Sequence, residues 1–420
     1  MDFHTFFLLL AITLLAARLL AELANRFGIP SVIGELAAGI IFGPSLLGWL
    51  APDETLKILA EIGVILLLFE VGMDTDVFRL AKAGAKPVIV ASAGFLLPLI
   101  AGFGVSFYVF ELSLLVSLFI GGTLTATSIG ITVRVLSDLK RRNSDEAQIV
   151  IGAAVLDDIM GVIALAFLYE FAVNGEVTLA SIGRVSLFIM LFMVLGPIVA
   201  KLVGWVIDRF DKKSESPGLL VTMMVSLIML FSYLAHVVGA PAIMGGFAAG
   251  LAMGQNFRIS LARLPGMHKA HAIMDANPEL THRLEHQMRP LIHLFTPVFF
   301  VMVGVSLDLN AINWTSAYVW ILSLTLIVIA ILGKWLAGYM IRENRLRQTA
   351  IGLAMIPRGE VGLIFAQVGL VNNILNAELY AAMLIVIAVT TLLPPFALKW
   401  FYAKWGDKPG LEANPPPGIM

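Results

Sequence analysis

Asp157 and Asp158 are neighbours near the middle of 148–172, a stretch otherwise apolar and long enough to cross a bilayer, which takes about 20 helical residues. A charged carboxylate at bilayer depth costs roughly 2.5–3.5 kcal/mol on insertion-based scales, so two in succession need compensation. Burial disfavours the bare charge, and a proton and a metal cation then compete to neutralise it. That competition is the chemistry of ion and proton traffic. Successive helical residues point about 100° apart, so the two carboxylates cannot share one small site and should have different partners. Lys334, in Ile331-Leu332-Gly333-Lys334-Trp335, lies inside another apolar window with no neighbour to pair with. A close Lys–Asp pair is worth about 4 kcal/mol at an effective dielectric of about 20, before desolvation. One lysine neutralises one aspartate; the other is left to hold a proton or a cation. The bland alternative, a buried ion pair that only fixes helix register, leaves the second carboxylate without a purpose. Glu70 fits an aqueous funnel or an interface equally well, Glu35 a helix end or funnel wall, and Asp74 and Asp76 the end of a span.

The elements that must position these groups are membrane helices. Hydrophobic residues make up 59% of the 420 positions and charged residues 14%, with a mean hydropathy of +0.91, a composition foreign to soluble domains. Cysteine is absent, which removes disulfide frameworks, thiolate metal sites and cysteine nucleophiles. The net charge of −1 says little about partners, and nothing points to nucleic acid.

Apolar windows fall at 3–25, 30–46, 55–73, 85–109, 113–137, 146–172, 180–205, 217–238, 241–257, 287–308, 315–341, 346–373 and 376–403, thirteen in all. Arg and Lys concentrate in alternate linkers (Arg26; Arg79, Lys82 and Lys86; Lys140–Arg142; Arg209, Lys212 and Lys213; 258–289; Arg342–Arg347), and the other linkers hold only Arg184. The positive-inside rule makes the first set cytoplasmic, with the N-terminus outside and the C-terminus inside. Without a basic n-region, residues 1–25 read as a retained span, not a cleaved signal. Histidines cluster in or after linker 258–290 (His268, His271, His282, His286, His293); a pH sensor or a metal at His282 and His286 is conceivable, but a solvated amphipathic segment is the simpler reading.

The chain also repeats itself. Gly28-Ile29-Pro30 through Gly39 aligns with Gly239-Ala240-Pro241 through Gly250, and 71–76 echoes 303–308. Both shifts are seven spans, and an odd shift reverses direction through the bilayer, so the halves should be inverted repeats. The repeat pairs span 5 with span 12, and each holds a helix-interrupting stretch, Thr123–Gly130 and Pro357-Arg358-Gly359. Pro357 lacks an amide donor, Gly359 is conformationally loose, and Thr125, Thr127 and Ser128 can bond freed backbone groups. Two broken helices bring half-helix dipole ends to the midplane, where Arg358 and Glu360 are candidate counter-charges. The expected fold is all-α and polytopic, about 13 transmembrane helices in two inverted six-helix repeats with two crossing broken helices.

In this order Val32-Ile33-Gly34-Glu35, Gly43-Pro44-Ser45-Leu46-Leu47-Gly48, Phe69-Glu70-Val71-Gly72-Met73, 125–131, Leu156-Asp157-Asp158, 295–300 and 357–362 resemble the signatures of the monovalent cation/proton antiporter superfamily, in its electrogenic bacterial Na+/H+ branch. The resemblance implies a homodimer, with 1–73 and 217–308 as dimer-domain helices. It makes 74–172 and 309–403 a moving core, 173–216 a linker helix and 404–420 a short cytoplasmic tail. It implies Asp158 as principal cation and proton carrier, Asp157 as partner of Lys334, and Thr127 and Ser128 as polar contacts at the crossing. Electroneutral relatives tend to carry Asn-Asp, so Asp-Asp with a membrane lysine implies electrogenic exchange. Ser128 stands where more distant relatives place an aspartate. The expected function is alternating-access exchange of Na+ (K+ or Li+ as rivals) for H+, not an enzyme, with no cofactor beyond the transported ions. The setting would be a cytoplasmic (inner) membrane, without ligand gating by a regulatory domain. A sodium-coupled organic-anion symporter shares this architecture and is the alternative class; an intramembrane aspartyl protease is a poor fit, since its carboxylates must face across a shared water.

Overall fold

Long runs of Leu, Ile, Val, Ala and Phe in hydrocarbon must bond every backbone N–H and C=O internally, and a helix does that within one segment. The computed structural model describes residues 3–51, 53–75, 83–174, 179–211, 218–254, 278–406, 408 and 411, and no strand occurs among them. Fifteen α-helices follow in chain order among the described residues. They are α1 (Phe3–Arg26), α2 (Ser31–Phe42), α3 (Glu54–Asp74), α4 (Lys86–Tyr108), α5 (Leu114–Thr123), α6 (Ile129–Asp138), α7 (Asp145–Asn174) and α8 (Leu179–Asp211). After these come α9 (Leu219–Val237), α10 (Ala242–Met253), α11 (Pro278–Ser306), α12 (Ala317–Ala337), α13 (Arg345–Ala354), α14 (Glu360–Val371) and α15 (Ala377–Trp405). Among the described residues eight helices are long and apolar enough to cross a membrane, within α1, α4, α7, α8, α9, α11, α12 and α15.

The windows at 30–46 and 241–257 shrink to twelve-residue helices, α2 and α10, each opening after a proline N-cap and closing on a glycine. Spans 5 and 12 are each two short helices. The tenth window is longer than expected, because α11 begins at Pro278 inside what reads as linker. Thr281, Leu284, Met288 and Ile292 are all buried, a stripe at helical spacing whose polar opposite face keeps mean hydropathy low. His282, His286 and His293 therefore stand on a helix, while His268 and His271 lie outside the described residues. Among the described residues no group of three or more metal-ligating side chains occurs.

The repeat is visible in how backbones meet. Gly39 faces the carbonyl of Val301 and Gly304 that of Leu36; at the equivalent positions of the other half, Gly250 faces Phe69 and Gly72 faces Phe247. In all four places an added Cβ would overlap a carbonyl oxygen, which is why small residues recur where membrane helices touch.

By packing, the chain divides into two units, residues 1–57, 83–182 and 300–420 in one and 58–82 and 183–299 in the other. The first has a core around Phe119, Leu322, Leu326, Phe365 and Met383, from α5, α12, α14 and α15. The second is built around Phe69, Met224, Phe231 and Leu284, from α3, α9 and α11. This division records density of packing, whereas the grouping implied by the resemblance concerns which helices travel together.

Candidate functional site

Two helices stop in the middle of the first unit. Helix α5 ends at Thr123 and α6 starts at Ile129, and likewise α13 ends at Ala354 and α14 starts at Glu360. The breaks bond to each other. Ser128 N donates to Pro357 O at 2.8 Å, Thr127 Oγ1 to Met355 O at 3.2 Å and Thr132 Oγ1 to Ala354 O at 2.9 Å. Thr125 Oγ1 returns to Gly122 O at 2.8 Å, and Ser128 Oγ caps α6 by accepting from Ile131 N at 3.5 Å. Backbone groups freed by unwinding must find such partners in a dry interior. Gly359 sits against Ser128 so closely that a Cβ there would lie 2.7 Å from Ser128 Oγ, so the crossing admits no side chain at that point.

Arg358 is fully buried. Its guanidinium donates to Leu124 O and, at 3.3 Å, to Ile356 O, carbonyls just past the C-terminal ends of α5 and α13. Both half-helices carry partial negative charge there, so one cation serves two dipole ends. Thr391 Oγ1 on α15 completes the break by donating to Arg358 O at 2.6 Å. The side chain of Glu360, the other expected counter-charge, lies outside the described residues.

Asp157 and Asp158 stand on α7 and Lys334 on α12, all buried. Lys334 Nζ lies 2.8 Å from Asp157 Oδ2, with both side chains fully enclosed. Asp157 Oδ1 has no hydrogen-bond partner, so the lysine engages one oxygen only. Asp158 points elsewhere on the helix, as adjacent residues must, yet its charge reaches Lys334, and that of Arg358 reaches both Asp157 and Lys334. Two carboxylates and two cations therefore share one dry region beside the crossing. Gly333 brings α12 flush against α4, since a Cβ there would come within 2.9 Å of the Pro98 ring; this close approach sets the depth of Lys334.

Glu70 is half-buried on α3, in the second packed unit. Asp74 is the last residue of α3, its side chain outside the described part, as is Asp76. Glu35 departs from expectation: it is neither a helix end nor a funnel wall but fully enclosed, with Arg134 at 3.4 Å. Sequence reasoning passed over Thr132, Thr391 and Arg134. Signals existed for Thr391, because the pair Thr390-Thr391 interrupts an otherwise apolar window, and for Arg134, a charge inside the apolar window 113–137; Thr132 carried none beyond its polarity.

Residues 10–404 match the family described as sodium/hydrogen exchanger, transmembrane. The chain is similar to the high-affinity Na+/H+ antiporter NhaS3 of Synechocystis sp., 33% identical over 92% of this chain and 87% of that one. It is 31% identical to the Na+/H+-K+ antiporter GerN of Bacillus cereus, over 96% and 97%, and 30% identical to a Na+/H+ antiporter of Enterococcus hirae, over 94% and 98%. Among solved structures it resembles the sodium proton antiporter MjNhaP1 of Methanocaldococcus jannaschii, with a TM-score of 0.65 at 17% identity, covering 94% of this chain and 95% of that one.

Proposed function

This chain belongs to the sodium/hydrogen exchanger family, and on that basis we propose that it exchanges Na+ for H+ across a membrane by alternating access, with Asp158 as the group that carries both. The observation that carries the assignment within the site is the pairing of Lys334 with Asp157 at 2.8 Å, which gives the two adjacent carboxylates different surroundings and assigns the lysine to Asp157 and the exchange of proton and cation to Asp158. On one side Asp158 loses its proton and takes up the cation, helped by the hydroxyls of Thr127 and Ser128; the core moves; on the other side a proton displaces the cation. Because one carboxylate cannot hold both, the fluxes are coupled. Lys334 makes the cycle electrogenic by releasing its ammonium proton to the aqueous side when the cation is taken up and regaining one on the other side when the cation leaves, so that two protons move against each Na+. Arg358, with Glu360, holds the dipole ends of the crossing. The protein works as a homodimer in a cytoplasmic membrane, N-terminus outside and C-terminus inside, with thirteen crossings; 1–73 and 217–308 stay at the dimer contact while 74–172 and 309–403 move. Since GerN is named for K+ as well, K+/H+ exchange is the second reading.

The test is Asp158→Asn in proteoliposomes, scanned over Na+, Li+ and K+ with and without a clamped potential. Wild-type protein should move protons when a cation is added, and the variant should be folded and silent. Sustained Na+ transport driven by a pH gradient in Asp158→Asn would defeat the assignment.

A further inference from the structure

Helix α2 opens after Pro30, whose side chain makes no capping hydrogen bond. Its first residue is held from α6 instead: Asp138 Oδ2 accepts from Ser31 N at 3.0 Å and from Ser31 Oγ at 2.7 Å. One turn earlier on α6, Arg134 donates Nε to Ser31 Oγ at 3.2 Å and Nη2 to Glu35 Oε1 at 3.4 Å, with Asp138 Oδ1 3.7 Å from Nε. Glu35 is fully enclosed, and the Arg134 and Asp138 side chains are only 17% and 23% exposed. Arg18 of α1 adds a second positive charge felt by Glu35. The exchange cycle makes no use of these groups.

Their distribution over the repeat is one-sided. The positions equivalent to Ser31 and Glu35 are Ala242 and Gly246, and those equivalent to Arg134 and Asp138, counted from the matching breaks, are Phe365 and Gly369. Every charge and hydroxyl of the cluster is missing from the second half. Inverted repeats exchange conformations to produce the two end states, so a contact present in one half exists in only one of them. It also joins two helices that the proposed partition separates, α2 with the stationary helices and α6 with the moving core. Both partners are largely desolvated, and pulling them apart leaves charges buried without counter-charges, a penalty that buried ion pairs exert strongly.

We propose that Ser31, Glu35, Arg134 and Asp138 form a one-sided latch that holds half-helix α6 against α2, favours the conformation described here, and must open in each transport cycle. It lies where α2 follows Arg26 and α6 precedes Lys140–Arg142, so it closes the cytoplasmic side. The inference rests on the antiport reading and its division into moving and stationary helices. These are positioning residues: they set the populations of the end states, not the affinity for the cation.

The absence of cysteine makes the test direct. Ser31→Cys with Asp138→Cys should exchange when reduced, lose most of its exchange when oxidised and recover it with dithiothreitol. Independently, Glu35→Gln and Arg134→Gln should change the maximal exchange rate about threefold or more while the cation KM stays within about twofold. If the double-cysteine protein does not reach the membrane, these two variants decide alone. Unimpeded exchange by the cross-linked protein, or charge variants that move KM but not rate, would overturn the latch. Wild-type protein without cation-dependent proton movement would sink the antiport reading and the latch with it, so the two failures are told apart.

Discussion

At the residue scale, the Lys334–Asp157 pair is fully enclosed, with both side chains out of contact with solvent. Removing one member of a buried pair typically costs about 3–5 kcal/mol, because its partner is left charged and dry. Lys334→Gln should therefore lower the thermal unfolding temperature in detergent and, on the antiport reading, weaken the response of exchange to an imposed membrane potential. An unchanged voltage response would remove the lysine from the coupling. Asp157→Asn should be gentler on exchange than Asp158→Asn, measured as initial rates at saturating Na+; equal losses would mean the carboxylates do not divide the work. The two aspartates and the lysine were legible in the sequence because charges in apolar windows have few reasons to exist. Which aspartate meets the lysine was implied by the family resemblance but not by the residues alone, since it depends on the rotation of α7 and α12 about their axes, set by contacts such as Gly333 against Pro98.

At the element scale, the crossing depends on backbone closeness. Gly359→Ala pushes a methyl to 2.7 Å from Ser128 Oγ and 2.9 Å from Ser128 Cβ, so exchange and thermal stability should both fall, with partial recovery when Ser128→Gly is added. Failure of that second change to restore anything would place the strain elsewhere. The ends of α4 and α13 are tied through Glu343, which bonds Lys86 at 2.6 Å and Arg347 at 3.1 Å. Burial pushes the Glu343 carboxyl up, but the Lys86 hydrogen bond and the Arg347 charge outweigh it and hold it below its usual 4.5. A carboxyl depressed in the folded state contributes stability that is complete above its unfolded value and disappears as pH falls through the folded one. The stability gap between wild type and Glu343→Gln should thus be present at neutral pH, at most about 1 kcal/mol for a partly exposed pair, and close as pH falls below the usual 4.5 and through the depressed folded value. A gap that persists in acid would assign it to packing. The breaks were legible from Pro357, Gly359 and the Thr/Ser run, whereas the stitches from Thr132 and Thr391 were not, because their acceptors lie on other helices.

At the scale of the whole molecule, the alternation of basic linkers makes a topological prediction that a cysteine-free chain can test one site at a time. Lys140→Cys should react with a membrane-impermeant maleimide only from the cytoplasmic side and Asn313→Cys only from the opposite side; labelling of both from one side would refute the proposed crossing pattern. The membrane setting, the helical class, the repeat and the breaks could all be read from the order of residues, because they follow from local chemistry: hydropathy over a span, glycine and proline where a helix must stop, and charge in the linkers. The amphipathic start of α11 escaped because its buried stripe is diluted by a polar face when hydropathy is averaged. Beyond Lys334 with Asp157, which the resemblance implied, what folding alone could decide were the pairings between distant segments, namely Arg358 with two helix ends, and Arg134 and Asp138 with α2. Each depends on which faces of two helices turn toward one another, and that is settled only when all the side chains around them have packed.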